Sequence, residues 1–125
     1  MKYIFRYALL SIVLVLATPV VAETLDDGFK AYVDEDYATA LRIFRPLAEQ
    51  RDADAQTYLG YMYSNGLGVT QDYILAHTWL NLAAANLTDE KLRNEAAKLR
   101  DTVAGMMTPE QIAEAQRLAR EWEQK

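Results

Sequence analysis

The chain has no cysteine and a single histidine. The first absence excludes a lipoprotein acylated at an N-terminal cysteine, disulfide stabilisation, and any metal site built on thiolates. Proline and glycine are sparse, three and five residues, whereas Ala, Leu, Glu, Gln and Arg are plentiful; that balance predicts a helical domain. A long apolar run is missing as well. A membrane-spanning helix wants about 20 apolar residues, and the most apolar stretch, enclosed by Arg6 and Pro19, has 12.

What is present at the N-terminus is the layout of a secretory signal peptide. Lys2 and Arg6 precede an apolar run from Ala8 to Ala17, Pro19 breaks it, and Val20-Val21-Ala22 supplies small residues at the first and last positions of a processing site. Residues 1–22 are therefore expected to be removed, which places the protein in the periplasm or outside the cell with no stable membrane insertion. Removal takes away Lys2 and Arg6 and leaves 11 basic against 18 acidic residues, a net charge of −7. So acidic a chain repels nucleic acid and anionic lipid. The remaining length, residues 23–125, suits one domain with a modest core.

Apolar residues along 23–125 recur at helical spacing. The pattern predicts helices over Leu25 to Val33, Tyr37 to Gln50, Ala53 to Ser64 and Tyr73 to Ala85, with Leu41, Phe44 and Ala48 on one face of the second. Core faces are expected at Ala55, Leu59 and Met62 on the third helix, and at Ala76, Trp79 or Leu80, and Ala83 on the fourth. Pro46 should kink or loosen the second helix by removing a backbone donor. Thr88 is a possible N-cap for a fifth helix, Asp89 to about Ala104, with Leu92, Ala96, Leu99 and Val103 inward and Gly105 ending it. Thr108-Pro109-Glu110-Gln111 is a capping box that opens a sixth helix running to near Glu123, with Ile112, Ala115, Ala119 and Trp122 on one face.

An internal repeat organises the first four helices. Asp36-Tyr37 recurs as Asp72-Tyr73, Ala40 as Ala76, Phe44 as Leu80 and Ala48 as Ala84, all 36 residues apart, while Gly28-Phe29 matches Gly60-Tyr61 at a spacing of 32. The difference is a four-residue insertion, Gly66 to Val69. That insertion is not a phosphate loop: Gly66-Leu67-Gly68 lacks the third glycine of a dinucleotide fingerprint and follows a helix rather than a strand. It reads as a helix stop at Asn65-Gly66, a turn at Gly68 and a cap at Asp72. Gly60, in mid-helix, is expected where a neighbouring helix approaches closely through a small residue such as Ala76.

From Ala53 to Ala84 the string Ala53-x-Ala55-Gln56-x-x-Leu59-Gly60-x-Met62-Tyr63-x-x-Gly66-x-Gly68-Val69-x-Gln71-Asp72-Tyr73-x-x-Ala76-x-x-Trp79-x-x-x-Ala83-Ala84 resembles a complete Sel-one-like repeat, a relative of the tetratricopeptide repeat. Residues 25–51 resemble a degenerate copy without the Gly-x-Gly turn, 52–87 the typical repeat, and 88–125 a C-terminal capping helical hairpin. The resemblance implies an all-α fold, a right-handed solenoid fragment of antiparallel helix pairs with about six helices, and a non-enzymatic adaptor or binding surface. A cysteine-rich branch of the family carries disulfides; this chain has none.

Catalytic chemistry has little to stand on. His77 has no second histidine or cysteine near it, Ser64 has no base at helical spacing, and Asp26-Asp27 and Asp34-Glu35-Asp36 lack the alternating ligands and central glycine of a calcium loop. No catalytic, metal or cofactor-binding residue is expected. Asp54, Tyr58, Tyr61 and Asn65 instead form a stripe at i, i+4, i+7 and i+11, and the repeat alignment adds Asp26, Phe29 and Val33. First helices of stacked pairs line the concave side, so these seven residues are the expected grip on a protein or peptide partner. The alternative is an auxiliary of envelope chemistry that binds a small ligand, such as a cell-wall fragment, or acts as a weak hydrolase. A deep polar pocket with convergent titratable groups would favour that alternative. Trp79 and Trp122 are expected in the core.

Overall fold

The computed structural model describes residues 22–125. The expected leader, apart from Ala22, lies outside them. Six helices and no strand occur among the described residues: α1 (Leu25–Val33), α2 (Tyr37–Glu49), α3 (Ala53–Asn65), α4 (Tyr73–Asn86), α5 (Glu90–Ala104) and α6 (Pro109–Glu123). None of these helices is long and apolar enough to cross a membrane.

Each helix starts on an oxygen-bearing cap. Thr24, Asp36, Asp52, Asp72, Asp89 and Thr108 each accept the backbone N–H three residues further on, satisfying a donor that the helix leaves open. Asp89, not Thr88, caps α5; its carboxylate also complements the positive end of the helix dipole. The ends of α1 and α2 turn through left-handed Glu35 (φ 60°) and Arg51 (φ 71°). At each, two reversed backbone bonds close the turn, from Glu35 and Asp36 to Tyr32 and Ala31, and from Arg51 and Asp52 to Ala48 and Leu47. Only α3 uses glycine there, Gly66 at φ 64°. Pro46 does not end α2, which runs on to Glu49.

The helices stack in chain order, α1 on α2, α2 on α3, α3 on α4 and α4 on α5, with α5 also touching α3. The chain is thus a helical solenoid fragment of the tetratricopeptide type. In the closing segment α5 and α6 each pack on α4. That explains the sequence of α4, which is apolar nearly all round and buries residues on several faces, Ala76, His77, Thr78, Leu80, Leu82 and Ala83. Trp79, by contrast, is only half-buried, as is Trp122, whose ring meets it edge-on at 5.8 Å.

Alanine and glycine let the helices approach closely. Ala40, Ala48, Ala55, Ala76 and Ala83 are fully buried, and a Cβ on Gly60 would meet Leu80 Cγ at 2.7 Å and Ala76 O at 3.2 Å. In the first repeat unit Gly28 does the same against Phe44, whose Cε1 a Cβ would meet at 2.6 Å. Gly28–Phe44 and Gly60–Leu80 are the aligned pairs of the two units, so the repeat seen in the sequence is a repeat of contacts. Polar ties lock the stack. Fully buried Gln56 donates through Nε2 to Ala48 O (3.1 Å) and accepts from Asn86 Nδ2 (3.3 Å), joining α3 to α2 and α4.

Candidate functional site

The inserted loop is structural. Gly66 closes α3, Gln71 Nε2 donates to Ser64 O (2.9 Å), and the Asp72 N–H donates to Tyr63 O (3.0 Å). Gly68, at φ 68°, passes so close to α2 that a Cβ would lie 2.9 Å from Tyr37 O. The loop therefore fastens the second unit against the start of α2.

The candidate surface is a concavity of about 320 Å³ lined by residues of α1, α3 and α5. Tyr32 of α1, Asp54, Thr57, Tyr58 and Tyr61 of α3, Leu87, and Leu92, Glu95 and Leu99 of α5 form its wall. An aromatic cluster organises it. Tyr32 is the hub, with ring centroids 5.3 Å from Tyr58, 5.6 Å from Tyr37 and 6.4 Å from Tyr61. Phe29 lies 5.9 Å from Tyr58, and Tyr58 stacks on buried Phe44 at 4.9 Å.

Burial, and secondarily the neighbouring Tyr61, Tyr37 and Tyr58, push the Tyr32 phenol up to about 12. Tyr58 is also raised, first by burial and then by the Asp54 carboxylate. Both phenols are neutral near pH 7. Among the described residues no group of three His, Cys, Asp or Glu side chains could hold a metal ion. His77 is buried within α4, with Nδ1 lacking a hydrogen-bond partner, and does not reach the concavity.

Of the seven residues expected from the sequence, Asp54, Tyr58 and Tyr61 line the concavity. Phe29 adjoins it through Tyr58 and is 47% exposed, and Val33 continues the α1 face at 61% exposed. Asp26 and Asn65 stand outside the wall; Asn65 Nδ2 turns back to donate to Tyr61 O at 3.0 Å. On α5 periodicity placed Ala96 and Val103 correctly, both buried, but misassigned Leu92. Leu92, expected in the core, is 43% exposed and faces the groove with Leu99, because α5 stands beside α3 as a third groove-lining helix. Tyr32 was missed because it packs against the core while presenting an edge to the groove. A larger hollow of about 460 Å³, lined by Glu49, Arg51, Trp79, Trp122 and Lys125, differs in kind: Arg51 already covers the Trp122 ring at 4.6 Å.

An array of stacked helix pairs whose first helices line a concave aromatic face defines the class of helical-repeat interaction proteins. Residues 53–86 match the family model for the Sel1 repeat, so the second helix-pair unit is a Sel1-type repeat within a helical-repeat fold. Sel1 repeats generally mediate protein–protein interaction and are typically non-catalytic modules. No curated protein and no solved structure matches the chain.

Proposed function

We propose that the protein is an exported adaptor that holds a protein or peptide partner in the concave groove formed by α1, α3 and α5. The observation that carries this reading is the distribution of exposed apolar side chains. Phe29, Val33, Tyr61 and Leu92 belong to these three helices, and Met106 alone of the large exposed apolar residues lies elsewhere in the described chain. Such clustering on one face is the mark of an interaction surface, and tyrosine is a frequent interface anchor. The wall is dominated by aromatic and aliphatic side chains, which suits a peptide better than a polar reaction centre. Export rests on the basic, apolar and small-residue layout of residues 1–22.

Photo-crosslinking tests the groove. A photoreactive residue at position 61 or 92 should trap a partner in the cell, whereas the same residue at Arg45 or Glu49, exposed on the α2 surface, should not. Equal yields from both faces would refute the groove. N-terminal sequencing of the exported protein should begin at Glu23; a product retaining Ala8 to Ala17 would assign it to the membrane-anchored class.

A further inference from the structure

The groove is charged with one sign only. Asp54 enters from α3 and Glu95 from α5, and no lysine or arginine lines the wall. Neither carboxylate is ion-paired among the described residues, although elsewhere the chain pairs its acids readily, Glu23 with Arg42, Asp34 with Lys30, and Glu114 with Arg117. The same wall carries the rings of Tyr32, Tyr58 and Tyr61 and the side chains of Leu92 and Leu99. Two like charges beside an apolar wall repel each other and attract a cation. Aromatic faces attract the same cation through their quadrupoles.

We propose, building on the groove reading above, that this surface selects a basic peptide segment of a protein partner, with one Lys or Arg side chain seated between Asp54 and Glu95. Its methylene stem lies along the leucines and tyrosine rings while the charged head reaches the carboxylates, the division that long basic side chains adopt at apolar surfaces. The volume of about 320 Å³ is at the low end of small-ligand pockets, roughly 300–1,000 Å³, and accommodates a side chain with its apolar neighbour rather than a large cofactor. The net charge of −7 over residues 23–125 steers such a segment toward the protein.

The test is selection from a randomised 12-residue peptide library displayed on phage, using the purified protein and two variants, Asp54→Asn/Glu95→Gln and Tyr61→Ala. All three altered positions are exposed, and circular dichroism confirms that each variant is folded. Recovered peptides should carry Lys or Arg beside an apolar residue, bind more weakly as salt rises, and lose roughly tenfold or more in affinity for the double variant. Enrichment of acidic or uncharged peptides, or unchanged affinity for the double variant, overturns the charge selection; the groove reading survives if Tyr61→Ala still weakens them. Peptides indifferent to Tyr61→Ala, or no enrichment at all, overturn both.

Discussion

Tyr58 lies flat on Phe44, their ring planes 7° apart and centroids 4.9 Å apart. Phe44 is fully buried in the core of α1, α2 and α3, so Tyr58 has one face in the core and its other surroundings in the groove. Tyr61, one turn further on and 38% exposed, has no such partner beneath it. The sequence stripe treats the two tyrosines as equivalent; the packing separates them.

Tyr58→Ala should therefore destabilise the fold by about 2–4 kcal/mol, near the lower part of the range for truncating a buried aromatic. Tyr61→Ala should change stability by no more than about 1 kcal/mol. Urea midpoints of the two variants measure this directly. Equal effects would mean that the stacked pair does not anchor α3.

Gly60→Ala sets two effects against each other. Helix propensity favours alanine by about 1 kcal/mol, but the new Cβ would sit 2.7 Å from Leu80 Cγ, and Leu80, 1% exposed, has no room to retreat. Overpacking costs about 1–3 kcal/mol, so the melting temperature should fall, and Gly28→Ala should behave alike against Phe44. A rise in either would break the close-contact account of the repeat.

His77 should make stability depend on pH. Burial, and secondarily the charge of Arg100, hold its pKa below the ordinary 6.5, with Asp101 opposing. The unfolded chain then binds a proton at higher pH than the folded one, so the stability is present above 6.5 and is lost as pH falls through 6.5 toward the depressed folded value. Thermal melts from about pH 7.5 to about pH 5.5 should show a decline that His77→Gln removes. A separate loss is expected below 4.5, where Glu23 and Glu114, both lowered chiefly by hydrogen bonds from arginine, take up protons. A profile for His77→Gln that overlays the parent through the upper window would assign the effect elsewhere.

Trp122 pins α6 through Trp79 and through Arg51, which lies over its ring. Because it is only half-buried, Trp122→Ala should cost about 2 kcal/mol, less than a fully buried tryptophan. The loss should be local. Hydrogen exchange should quicken in α6 and on the α4 face it covers, while α1 to α3 keep their protection. Unchanged protection in α6 would show that Ala115 and Ala119, with Thr78 Oγ1 at 3.3 Å from Ala115 O, suffice to hold it.

Local signals in the sequence determined the helices. Caps at Asp36, Asp72 and Thr108, the glycine stop at Gly66 and a 3.6-residue apolar period act over a few neighbouring residues, and each is written in the chain where it operates. The alignment of the two units was legible for the same reason: Gly28 and Gly60 are small wherever the opposing Phe44 and Leu80 are large. Only the tertiary structure decided the surroundings of each face. Leu92 and Ala96 share one apolar stripe on α5, but α4 covers Ala96 while Leu92 opens to the groove. Asp54 and Glu95, 41 positions apart in the chain, share a wall because α5 comes to rest against α3. Periodicity shows that a face is apolar; which helix covers it, or whether any does, depends on contacts between distant segments.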